Sequence, residues 1–137
     1  MRITSLLIIA AVLVVAAAAP VFAHHSFAAE FDVNKPTTLT GSVTKLDWIN
    51  PHARLFIEVK GSDGKVANWE VELGPPAMLM RSGWTKNSVK AGEVVTVNGS
   101  LAKDGTNLAN ARSVTLADGT RVFAGSSADT QTNQTNQ

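Results

Sequence analysis

Residues 76–83 read Pro76-Ala-Met-Leu-Met-Arg-Ser-Gly83 and form the one interruption in an otherwise β-type pattern that runs from Thr37 to Ala124. A proline is tolerated in the first turn of a helix, where its missing N–H would have no partner anyway, and a glycine suits the position just past a helix end. The segment therefore predicts one short helix. On either side the chain alternates apolar and polar residues in short runs rich in Val, Thr, Ile, Trp and Phe, as half-buried strands require.

Three strands are predicted upstream of the helix. In residues 53–59, Leu55, Ile57 and Val59 share one face and Arg54, Phe56 and Glu58 the other. In residues 68–73, Trp69, Val71 and Leu73 point inward, leaving Glu70 and Glu72 together on the outer face, the geometry of a paired-carboxylate site but more plainly that of surface residues. The first strand, residues 38–49, alternates through Leu39, Gly41 and Val43 before Leu46 and Trp48 take over. Such a slip of phase predicts a bulge or a sharp bend, which closing a small barrel demands. Downstream, residues 93–101 and 108–116 read as two further strands and residues 120–124 as a short sixth. Asp63-Gly64, Asp104-Gly105 and Asp118-Gly119 each predict a tight hairpin, with both residues of the pair at positive φ.

The order strand, strand, strand, helix, strand, strand and a short sixth strand predicts an all-β domain, a small five- to six-stranded Greek-key barrel of the OB-like type, with the helix between strands three and four closing one end. A small β-sandwich shares the same strand rhythm and is the competing architecture. The position of the helix favours the barrel.

The chain of 137 residues suits one domain. Residues 1–23 read as a secretory signal peptide: Arg2 is the basic start, residues 6–19 are almost wholly apolar, and Val21-Phe22-Ala23 has the small-x-small form of a cleavage site. A retained membrane anchor is the alternative, disfavoured because the apolar run is near the lower limit for spanning a bilayer. Residues 24–36 would be a lead-in, 37–124 the barrel and 125–137 a polar tail without a large apolar residue, too polar to order itself. Loss of Arg2 leaves eleven basic against eleven acidic side chains, none of the basic ones in a block. This speaks against a nucleic-acid partner, which needs clustered positive charge, and after cleavage there is no membrane partner. With no cysteine there is no disulfide framework, no thiolate metal site and no thiol nucleophile.

The three histidines are His24, His25 and His52. Cleavage after Ala23 would make His24 the first residue, and an N-terminal histidine offers a metal both its α-amine and its ring Nδ1. A second imidazole completes a T-shaped set of three nitrogens, the arrangement called a histidine brace, which suits Cu(II). His52 could supply that ring, since Asn50-Pro51 predicts a turn that holds it at the barrel rim. His25 opens a second mode, in which amine, peptide nitrogen and the second residue's imidazole bind copper without His52. Against both stands a solvated terminus, with His52 merely bonded to backbone in its turn. Free α-amines and imidazoles have reference pKa values of about 8 and about 6.5, so binding would displace protons and acid would release the metal.

Other chemistry-bearing residues read more plainly as structure. Glu30 and Asp32 are a solvated acidic lead-in or outer partners of a metal. Met78 and Met80 have soft sulfur but lie two apart on a helix and so do not face each other, which favours core packing. Trp69 and Trp84 read as core anchors. No G-x-S-x-G, H-E-x-x-H or glycine-rich phosphate loop is present.

His24-His25-Ser26-Phe27, Gly41-x-Val43, Trp48-x-Asn50-Pro51-His52, Trp69-x-Val71-Glu72 with a following proline, and Gly83-Trp84 together resemble the small exported bacterial proteins of domain-of-unknown-function family 6152. The resemblance runs from His24 to about Val122 and implies a periplasmic setting, with His24, His25 and His52 in the family pattern, but no settled activity. The resulting expectation is a periplasmic, non-catalytic copper-binding protein with His24, His25 and His52 as its metal residues. The alternative is a metal-free barrel that holds a small molecule, glycan or periplasmic protein partner through Trp48, Arg54 and Phe56.

Overall fold

The computed structural model describes residues 27–126. A single helical turn, α1 (Phe27–Glu30), leads into β1 (Phe31–Asp47), followed by β2 (Arg54–Lys60), β3 (Val66–Glu72), α2 (Pro76–Arg81), β4 (Val94–Ala102), β5 (Leu108–Thr115) and β6 (Arg121–Phe123). The strands lie in the order β3-β2-β1-β4-β5-β6, and β3 also pairs with β5 in parallel. That extra pairing closes β1 to β5 into a ring, so the molecule is an OB-like Greek-key barrel with its helix between β3 and β4. A sandwich, whose two sheets stay separate, is ruled out by the closed ring.

β1 is the strand on which closure turns. Its first part pairs with β4, its last part with β2, and Ser42 belongs to both ladders. The register against β2 slips between Val43 and Lys45, where the apolar phase of the sequence changes. The strand also begins seven residues earlier than residue 38, at Phe31. Phe31 stacks on Phe27 with ring centroids 5.5 Å apart. With Ala102 and Leu108 these rings make a small second apolar cluster, which draws the lead-in onto the barrel.

The main core is filled by the inward residues of all five ring strands, among them Leu39, Val43, Leu55, Ile57, Val71, Val97 and Val114. The helix closes the barrel as its ends dictate. Gly83 N–H donates to Met80 O and Trp84 N–H to Leu79 O, the paired bonds of a Schellman ending, and Leu79 and Trp84 are both buried beside it. The Trp84 indole donates to Phe123 O at 2.9 Å, tying the helix end to β6. Met78 is half-buried and Met80 is exposed, so the methionine pair supplies less core than expected: α2 is one and a half turns long and seats only Pro76 and Leu79.

All three Asp-Gly pairs occupy hairpin turns, but only their glycines have positive φ. Gly61 O and Leu116 O accept from Gly64 and Gly119, a type I turn followed by a left-handed glycine rather than a primed turn. The aspartates stay right-handed because their carboxylates accept from the N–H two residues on, at Lys65, Thr106 and Thr120. The Thr106 hydroxyl, with its backbone N–H, holds the Asp104 carboxyl below the usual range, and the Thr120 backbone and hydroxyl do the same for Asp118.

β5 has a divided edge. Along one side it pairs with β4. Along the other, β3 covers residues 108–110 and β6 covers residues 113–115. The register against β4 breaks between Asn98 and Gly99, leaving Arg112 as the extra residue on β5. The chain beyond β6 passes close to the β3–α2 corner, where Gly74 N–H donates to Ala124 O at 2.7 Å.

Candidate functional site

The loop from Trp48 to Ala53 carries a cis Asn50–Pro51 peptide and delivers His52 to the rim where β2 begins. Ala53 exchanges backbone hydrogen bonds with Leu73 and Gly74, which fixes the loop's exit beside the end of β3. His52 Nδ1 thereby lies 3.3 Å from Glu72 Oε1. The partner of this histidine is a carboxylate, not a backbone group.

Glu72 is not the surface residue that strand alternation predicts: it is only 4% exposed. The outer side of β3 at this point is covered by the parallel neighbour β5 and by the segment after β6. Asn110 donates its Nδ2 to Glu72 Oε1 at 3.1 Å, and Ser126 donates its hydroxyl to Asn110 Oδ1 at 2.6 Å. Arg54, directly across from Glu72 on β2, places Nη2 3.4 Å from Glu72 Oε2. A buried carboxylate needs such compensation, since desolvation alone costs several kcal/mol. Arg54 Nη1 also binds Glu70, which stays half-exposed. Four charged or titratable side chains, His52, Arg54, Glu70 and Glu72, are thus joined at one rim of the barrel.

Of the three sequence-predicted metal residues, the structure places His52 here. His24 and His25 lie outside the described residues. Among the described residues, no group of three His, Cys, Asp or Glu side chains is positioned to hold a metal ion unaided. No helix among them is long and apolar enough to cross a membrane.

The other predicted contact residues separate. Trp48 packs on the core with part of its surface exposed. Phe56 is half-buried under the Lys45 ammonium, which stands 4.5 Å from its ring centroid. Next to this pair, a cleft of about 500 Å³ runs between β1, β2 and β3, lined by Thr44, Lys45, Phe56, Trp69, Glu70 and Asn107. Trp69 is a half-buried wall of that cleft rather than a fully buried core anchor, whereas Trp84 is fully buried. The sequence reading missed Glu72 as a site residue. The hint was that Glu70 and Glu72 share a strand face, the geometry of a paired-carboxylate site, which outward acidic residues on a barrel strand normally leave to solvent.

Among solved structures, the mitochondrial single-stranded DNA-binding protein Rim1 of S. cerevisiae is 12% identical, with a TM-score of 0.47, over 60% of this chain and 92% of that one. TiaS, in a structure of its complex with a tRNA and ATP, is 21% identical with a TM-score of 0.41, over 59% of this chain and 18% of that one. No curated protein matches the chain. The model of a family of unknown function does match, over residues 11–111, and this span covers most of the barrel and its lead-in. The chain belongs to that family, DUF6152.

Proposed function

We propose that this protein is an exported, periplasmic, non-catalytic copper-binding barrel in which the mature N-terminal His24 and the rim residue His52 supply nitrogen ligands, with His25 as ligand or neighbour. One observation carries the reading: the His52 ring faces a buried carboxylate through Nδ1 while 27% of its side chain stays exposed. A carboxylate beside Nδ1 orients the ring and leaves Nε2 as the nitrogen that would face the metal. Metal-ligating histidines are commonly supported in this way. Arg54 and Asn110 in turn hold Glu72 in place.

The test begins with the mature N-terminus by intact mass. Cu(II) is then titrated into naturally cleaved protein and into a form with one extra N-terminal glycine. Stoichiometric binding that is lost in the extended form, and weakened roughly 10- to 100-fold by Glu72→Gln, supports the reading. Equal binding by both forms sinks the brace.

The cleft beside Phe56 favours a second reading, a metal-free module for a small molecule, glycan or protein partner. It requires binding that survives replacement of both His24 and His25 and shows no metal dependence.

A further inference from the structure

The cleft beside Phe56 holds chemistry that copper binding does not use. Its centre is one cross-strand row, Lys45 on β1, Phe56 on β2 and Glu70 on β3. Two irregularities open it. The register slip between Val43 and Lys45 leaves Thr44 as an extra residue, and its hydroxyl donates to Phe56 O at 3.2 Å. On the other side, β5 pairs with β3 only from Glu70 onward, so Asn68 and Trp69 have β2 as their one strand neighbour among the described residues. Asn107, whose carbonyl accepts the Glu70 N–H at 3.0 Å, forms the far wall.

The charges of the lining are already answered within the protein. Lys45 Nζ lies 2.9 Å from Asp47 Oδ2 and over the Phe56 ring, and Glu70 is bound by Arg54 Nη1. The neutral polar groups are not answered. The carboxamides of Asn68 and Asn107 and the indole N–H of Trp69 have no hydrogen-bond partner among the described residues. Trp84, in contrast, donates its indole N–H to Phe123 O. A tryptophan N–H normally finds an acceptor as its ring is buried, so half-buried Trp69 keeps a donor for a ligand in the cleft.

We infer that this cleft binds a short neutral saccharide. A pyranose has an apolar C–H face, which suits the half-buried Phe56 and Trp69. Its rim of hydroxyls both donates and accepts, which suits two carboxamides and an indole N–H. The volume of about 500 Å³ lies in the small-molecule range. A single-stranded nucleic acid would also bring flat rings, but its phosphates need available cations, and the lysine of this cleft is held by Asp47 with Glu70 in the same lining. The inference rests on the second reading of the function, to which it gives a ligand class, and it uses neither His52 nor the N-terminus.

The experiment is an NMR titration of the full chain with cellobiose, N,N′-diacetylchitobiose and, as the rival, single-stranded pentathymidylate, each with and without EDTA. Expected are saturable shifts of the Asn68, Trp69 and Asn107 amides and of the Trp69 indole N–H with at least one disaccharide, unaffected by EDTA. Binding should weaken about three- to tenfold in Asn107→Ala and again in Asn68→Ala, with Tm unchanged because both side chains are exposed and bond to nothing among the described residues. No shift of these groups with either disaccharide, or unchanged affinity in both asparagine variants, would overturn the inference. Cleft shifts caused by pentathymidylate and by neither disaccharide would overturn it while leaving a metal-free binding module standing. Disaccharide binding abolished by EDTA, or by replacing His24 and His25, would overturn the module reading together with it.

Discussion

β3 builds two quite different walls. On its outer face Glu70 and Glu72 stand two residues apart and both meet Arg54, yet Glu70 stays half-exposed beside an open cleft while Glu72 is buried in the seam with β5. The residue type is the same, and so is the strand. What differs is the far side: Glu70 looks toward Phe56, Trp69 and Asn107 across a cleft, whereas Glu72 is capped by Asn110 and Ser126. Burial of a charge is thus set by segments distant in sequence, and it persists only where they bring donors.

The sharpest way to break the seam is Gly99→Ala, because the added Cβ would collide with the Asn110 backbone and the β4–β5 ladder would have to shift. A loss of about 3 kcal/mol, or roughly 15 °C in Tm, is expected by thermal melting. Next comes the glutamate pair itself. Glu72→Leu leaves Asn110 without its acceptor and Arg54 with one carboxylate, and should cost about 2 kcal/mol in urea unfolding. Glu70→Gln, exposed to water, should cost less than about 1 kcal/mol. Equal costs for the two would erase the distinction between the walls.

On the cleft side, Trp69→Ala should cost about 1.5 kcal/mol, below the roughly 3 or more of a fully buried tryptophan, because its ring is already partly in water. The smallest effect concerns the turns. The folded-state pKa values of Asp104 and Asp118 are depressed, so the stability they contribute is present above about pH 4, the ordinary carboxylate value, and is lost as pH falls through the lowered values. A double Asp104→Asn, Asp118→Asn variant should show a shallower fall of Tm between about pH 5 and pH 2.

The barrel was legible because its signals are local. The phase change after Val43 announced the bulge, Pro76 and Gly83 bracketed the helix, and the Asp-Gly pairs marked their hairpins while misstating the φ of the aspartates. The start of β1 was hidden, since Phe27 and Phe31 are held by Ala102 and Leu108 rather than by any alternation of their own. His52 could be placed at a rim from Asn50-Pro51, but its partner could not. Alternation assigns a strand residue to a face, and only the parallel β3–β5 contact decides that this face of Glu72 is covered.

The hairpin at Asp63-Gly64 has a practical consequence for handling the protein. A tag at the mature N-terminus would consume the α-amine under test, and one fused directly after Ser126 would begin beside the buried Asn110 contact. Residues 61–66 are exposed throughout, at the end of the β2–β3 ribbon away from Arg54 and Glu72. Loop tips of this kind accept insertions. An affinity sequence placed there should leave Tm and copper titration unchanged, making the middle of the chain its most neutral handle.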